Sequence, residues 1–292
     1  MRKVFINELV SLSSKRKNIL FLTGDLGYNV VEPFKNKFPK RFFNAGVSEQ
    51  NMMGMAAGLA SEKMHVFVYS IANFPTFRCA EQIRNDVDYH NLSVTIVSVG
   101  SGLGYGNLGY SHHGLQDYAL MRSFPNMLIL SPGNNSEVIS CLKYIIKNPQ
   151  PSYLRLDKDE IFNDKKDNYL KVKPGKIYKI HNGSRKNIII TTGKTQEVAT
   201  QMVKKKYKGF SVYSLPVWGM KIKNNFFKSI KNVKKIVTVE DHFQDGGFGS
   251  WVNEVLNKYQ SNIKLKSEFI SSETIYKVGS KKFLMRKYGP KI

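Results

Sequence analysis

The chain has 292 residues, 41% of them hydrophobic, which is enough for two domains that each bury a core. No apolar run approaches the roughly 18 residues of a membrane-crossing helix, and the N-terminus MRKVFINELVSLSSKRKN lacks the apolar core and small-residue cleavage site of an export signal, so a cytoplasmic chain without a membrane partner is expected. The net charge of +23 is uneven: residues 1–160 carry 17 Lys+Arg against 13 Asp+Glu, and residues 161–292 carry 28 against 9. That excess is scattered lysine, as in KKKYK and KNVKK, without a zinc finger, RNP-type strand or basic heptad. It predicts a solvated surface or attraction to an acidic partner subunit rather than nucleic-acid binding. Cys79 and Cys141 stand far apart, outside any metal-ligand spacing, and are expected to be reduced, buried and structural.

In chain order, residues 3–20 show helical spacing (Val4, Ile6, Leu9, Val10, Leu12), followed by a strand-like run from Ile19 to Thr23 and a Gly-Asp-Leu-Gly turn. The small-residue stretch from Asn51 to Ala60 suits a tightly packed helix, and Val66 to Tyr69 a strand. A helix over 76–88, a buried strand over 93–99, a glycine-rich loop over 100–114 and a strand at 127–130 continue the rhythm. Apolar strands alternating with helices predict a parallel, doubly wound α/β sheet. Residues 158–186 are polar and read as a linker plus an edge hairpin. Beyond them the alternation restarts: strand 187–192, helix 195–206, strand 210–214, helix near 223–231, strand 235–239 and a helix at 250–258 opened by Gly-Gly-Phe-Gly. The expected architecture is therefore two doubly wound, Rossmann-like domains, 1–157 and 187–292.

Five segments occur in an order that carries more weight than any one of them: Thr23-Gly24-Asp25-Leu26, GVSEQNMMGMAAGLA at 46–60, Phe74-Pro75-Thr76-Phe77, GYSHHGLQD at 109–117 followed by FPNM at 124–127, and VEDHFQDGGFG at 239–249. Over nearly its full length the chain resembles the pyrimidine-binding and C-terminal domains of the transketolase family. The resemblance implies thiamine diphosphate as cofactor, with Mg2+, and transfer of a two-carbon ketol unit from a ketose to an aldose or keto-sugar acceptor. It implies that Glu49 meets N1′ of the aminopyrimidine and assists its proton relay. It implies that Phe74 and Phe77 line and stack on that ring, that Asp25 lies near the thiazolium, and that His112 touches the reacting groups of the donor. His113, an extra imidazole where the family usually has Gln, is a further candidate contact to the substrate, and His242 reads as structural or as a domain contact.

Substrate recognition departs from the family pattern. Arg155 matches one phosphate-binding arginine and Arg2 the other, while Asn29 replaces a serine. The loop at 100–108 lacks the family's histidine and aspartate, which predicts an unusual sugar. The Gly-Asp-Gly…Asn motif that holds the diphosphate and Mg2+ in the family is missing: Gly24-Asp25-Leu26 and Asp245-Gly246-Gly247 lack the final glycine or the downstream Asn. The resemblance therefore implies a partner, an N-terminal transketolase subunit carrying that motif, in a heterotetramer. Two other readings remain at this point: the beta chain of a 2-oxoacid dehydrogenase, with the same domains and a comparable Glu, and a non-catalytic assembly paralogue.

Overall fold

The computed structural model describes residues 1–158 and 171–292. The first part runs α1 (Arg2–Lys15), β1 (Ile19–Thr23), α2 (Glu32–Lys37), β2 (Phe42–Asn44), α3 (Glu49–Ser61), β3 (His65–Ile71), α4 (Ala80–Gln82), β4 (Val94–Val99), α5 (Asp117–Met121), β5 (Leu128–Leu130), α6 (Asn135–Lys147) and β6 (Ser152–Leu156). The second runs β7 (Tyr178–His181), β8 (Ser184–Thr191), α7 (Gln196–Lys205), β9 (Phe210–Ser214), β10 (Val217–Gly219), α8 (Lys223–Ser229), β11 (Lys235–Val239), α9 (Phe248–Lys258), β12 (Lys264–Glu268) and α10 (Lys281–Tyr288). No helix among the described residues is long and apolar enough to cross a membrane.

The first sheet has the order β10-β5-β6-β4-β3-β1-β2, parallel throughout except for β10. Its central strands are apolar on both faces because both faces are covered. In β1, Ile19 and Phe21 pack with Phe5 and Leu9 of α1 and with Val138 and Leu142 of α6. Leu20 and Leu22 point the other way, against Met52, Met53 and Ala56 of α3. The helix expected over 76–88 is composite: a 3-10 turn at Phe77–Cys79, the short α4, and a π-helical turn at Ile83–Asp88.

The second sheet has the order β12-β11-β8-β9-β7 and is parallel except for β7 at its edge. Of the expected linker and edge hairpin at 158–186, the described residues 171–186 contribute β7 at the sheet edge. β7 pairs antiparallel with β9, whereas β8 pairs with β9 and β11. Asn182-Gly183 carries the chain past the end of β9, and only glycine fits there: a Cβ on Gly183 would lie 2.5 Å from the Phe210 carbonyl oxygen. Residues 159–170 of the expected linker lie outside the described residues.

The two parts interlock. β10, which follows β9 in sequence, leaves the second sheet and adds antiparallel to β5 of the first, with Val217 opposite Leu130 and Gly219 opposite Leu128. Trp218 at its centre is fully buried and donates to Thr192 Oγ1 at 3.0 Å. It packs on Tyr118 of the first part and on Phe248 and Trp251 of the second, with ring centroids 5.0–5.3 Å apart. One apolar core therefore runs from α3 through Trp218 to α9.

Candidate functional site

The site lies at the C-terminal ends of the parallel strands, where open α/β sheets bind ligands. The chain turns at Gly46 (φ 71°) after β2 and enters α3 through Ser48, whose hydroxyl donates to Ala45 O at 2.6 Å. Glu49 is thereby the first residue of α3, favoured there by the helix dipole, and only 5% exposed. Its Oε1 accepts from Arg78 Nη1 at 3.0 Å. Arg78 is about half exposed and comes from the 3-10 turn after β3, with its guanidinium 4.1 Å from the centroid of Phe74. Glu49 and Arg78 line an open cavity of about 450 Å3 together with Val47, Ser48, Gln50 and Asn51.

From Phe74 the cluster continues to His112, whose ring stands edge-on at 5.2 Å, and then to Tyr105 at 6.3 Å. Burial, and then the neighbouring Arg78 charge, hold His112 below its ordinary pKa, so its imidazole favours the neutral form. His113 is buried beside it and pushed down by burial too. Asn73 fixes this loop by donating to the backbone oxygens of Ser111 and His113, at 3.1 and 2.9 Å. Asp25 sits at the end of β1 in a left-handed conformation (φ 54°), its N–H donating to Asn44 Oδ1 at 2.9 Å. The same oxygen accepts from Gly46 N at 3.1 Å, so Asn44 ties the Asp25 turn to the loop that presents Glu49.

The structure thus brings Glu49, Phe74 and His112 into one cluster and puts Asp25 on the adjoining turn. Phe77 lies next to Arg78 in sequence and is 45% exposed. Arg2, at the start of α1, places its charge near Tyr69 and Tyr105, lowering both phenols against the burial that raises them. Asn29 is exposed in a left-handed turn, its N–H donating to Glu32 Oε1 at 2.8 Å. Sequence reasoning misses Arg78, Tyr105 and Asn44. The only signal for Arg78 is its place directly after the aromatic run 74–77.

Arg155 requires a correction. It does not face the cavity; it is 2% exposed and its donors are spent inside the protein. Nε donates to Asp117 Oδ2 at 2.6 Å, Nη1 to Asp241 Oδ1 at 2.5 Å, and Nη2 to Gly114 O at 2.7 Å and Asp241 O at 3.2 Å. The guanidinium lies 4.3 Å from the Tyr118 centroid. Two carboxylates from different domains neutralise it, so a substrate phosphate finds neither access nor uncommitted charge there. His242 belongs to the same buried interdomain region, its ring stacked on Tyr118 and its Nε2 4.0 Å from Asp117.

The fit to an aminopyrimidine is good on this chain: a buried carboxyl group, an aromatic face beside it and an open cavity in front. No group of three or more His, Cys, Asp or Glu among the described residues is arranged to hold a metal ion.

Comparison with known proteins identifies the family. Residues 1–162 match the model of the transketolase pyrimidine-binding domain and residues 175–292 that of the transketolase C-terminal domain. A protein of Methanocaldococcus jannaschii described as a transketolase C-terminal section is 36% identical over 270 residues, covering 91% of this chain and 84% of its own. One of the subunits of the apulose-4-phosphate transketolase of Actinobacillus succinogenes is 32% identical over 261 residues, 89% of this chain and 84% of its own. A solved structure of a split-gene transketolase, described as an inactive beta4 tetramer, superposes with a TM-score of 0.85 at 28% identity, over 99% of this chain and 93% of that one. The chain belongs to the transketolase family, of which it carries the pyrimidine-binding and C-terminal domains.

Proposed function

We propose that this chain is the C-terminal subunit of a two-chain, thiamine-diphosphate-dependent transketolase, active only with a partner that supplies the diphosphate and Mg2+ ligands. The observation that carries the reading is Glu49, buried at the start of α3 beside Phe74 and His112, in a chain with no metal-holding cluster among its described residues. When bound, the cofactor supplies the nucleophile that carries the two-carbon unit. Glu49 bonds N1′ of its aminopyrimidine and passes a proton there. Phe74 offers the ring an apolar face. His112, favoured in its neutral form, is ready to accept a proton from the hydroxyl of the donor. Asp25 faces the substrate channel.

The active form is a heterotetramer, two copies of each chain completing two sites. Two free, buried cysteines fit a reducing cytoplasm. The acceptor is a non-standard sugar or sugar phosphate, because the 100–108 loop lacks the family's phosphate contacts and Arg155 is committed elsewhere. Phosphate recognition falls to Arg2 or to the partner.

The test is Glu49→Gln in the reconstituted pair. Hydrogen–deuterium exchange at C2 of the cofactor should slow by roughly 10²–10⁴-fold, with a much smaller change in cofactor affinity. Exchange at the wild-type rate would remove Glu49 from its assigned place.

A further inference from the structure

We propose that Arg78 is a placeholder for the aminopyrimidine, and that the cofactor site opens only when this guanidinium leaves Glu49 and Phe74. The proposal rests on the reading of Glu49 given above. The ring needs a hydrogen bond at the Glu49 carboxyl group, which passes it a proton, and an aromatic face. Arg78 occupies both, with Nη1 3.0 Å from Glu49 Oε1 and Cζ 4.1 Å from the Phe74 centroid. A guanidinium suits the part, being a flat N–C–N fork that donates in its plane and stacks on aromatic faces.

Its position also allows it to leave. Arg78 stands on a 3-10 turn, about half exposed, and forms one wall of the cavity of about 450 Å3 in front of Glu49. Swinging outward widens the cavity and frees the carboxylate. Until then the ion pair protects the chain, because a buried carboxylate without a partner is costly. Arg78 also lies close enough to His112 for its charge to disfavour the imidazolium, so its departure changes the surroundings of two site residues together.

The grip must be light for the site to load. An ion pair with one exposed partner and a single ring contact are each modest interactions. If the latch is open about one time in ten, apparent cofactor affinity is reduced about tenfold. The measurement is calorimetric titration of the reconstituted pair with thiamine diphosphate and Mg2+. Arg78→Met should bind about tenfold more tightly than wild type, and Arg78→Lys, which keeps the charge and loses the fork, should fall between them. Thermal unfolding identifies a misfolded Met variant, in which case the Lys variant carries the test. Affinity equal to or below wild type in a folded variant overturns the placeholder and leaves the role of Glu49 untouched. A wild-type pair that takes up no thiamine diphosphate overturns the reading of the whole site.

Discussion

Glu49 is an acid in the first turn of a helix, a place where the dipole favours any acid, and nothing in its own identity marks it as chemical. It is legible only through the order of the segments around it. Arg78 is not legible, since its contact with Glu49 spans 29 residues and depends on a 3-10 turn that no periodicity announces. Buried histidines are equally opaque in sequence, yet they govern stability. Burial lowers His242 to about 4 and His65, whose Nε2 lies 2.8 Å from Thr95 Oγ1, to about 3. Both are neutral in the fold and take up protons only on unfolding below about pH 6.5, so their contribution is present above that pH and lost as pH falls. Glu240 acts oppositely: burial raises it to about 8 although Phe248 and Gly249 N–H groups donate to it. It is neutral in the fold and ionises on unfolding above about pH 4.5, so it weakens the protein as pH rises toward 8. In urea unfolding between pH 5 and 6.5, His242→Asn should reduce the pH slope of stability by about 1 kcal/mol per unit, and Glu240→Gln should increase it by a similar amount. Slopes matching the wild type would mean these groups are not buried in the stated forms.

At the level of elements, the inner strands are readable because β1, β3 and β4 are buried on both faces and hence continuously apolar. β10 is not. Three residues, Val217-Trp218-Gly219, have no period to detect, and their partner lies in the other sheet. Arg155 misleads for a related reason. A strand arginine at the right sequence position looks like a ligand until its neighbours are known, and the carboxylates of Asp117 and Asp241 come from residues 38 and 86 positions away. The structure makes it a staple between β6, the loop after His112 and the segment after β11. Arg155→Met should therefore cost about 3–5 kcal/mol in denaturant unfolding, because two buried carboxylates lose their counter-charge. Activity in the reconstituted pair should fall equally on phosphorylated and unphosphorylated substrates. A rise in Michaelis constant confined to phosphorylated substrates would restore the arginine as a ligand.

At the scale of the whole molecule, the order of motifs indicates the family that both domain models match, and the missing Gly-Asp-Gly…Asn element is what motivates the proposal of a shared site. The sugar is not legible, because the loop at 100–108 departs from the family pattern, and the proposed partner is not legible from this chain alone. The isolated chain should bind thiamine diphosphate weakly and without Mg2+ dependence; tight, Mg2+-dependent calorimetric binding to it alone would end the two-chain reading. The 28 Lys+Arg against 9 Asp+Glu in residues 161–292 should make assembly with an acidic partner weaken as salt is raised from about 50 to about 500 mM, which sedimentation can follow. The exchange of β10 between the sheets also bears on inheritance. Two regions recognisable by separate family models would seem free to be recombined, but a cut between them strips β5 of its antiparallel neighbour, baring a strand edge that invites aggregation, and deprives Trp218 of Tyr118. A chimera that borrows its C-terminal region from a relative must therefore bring a strand matched to Leu128–Leu130 and an indole matched to Tyr118. Genes of this kind are expected to diverge with both regions in step, and laboratory shuffling should succeed at the ends of this chain far more readily than at its middle.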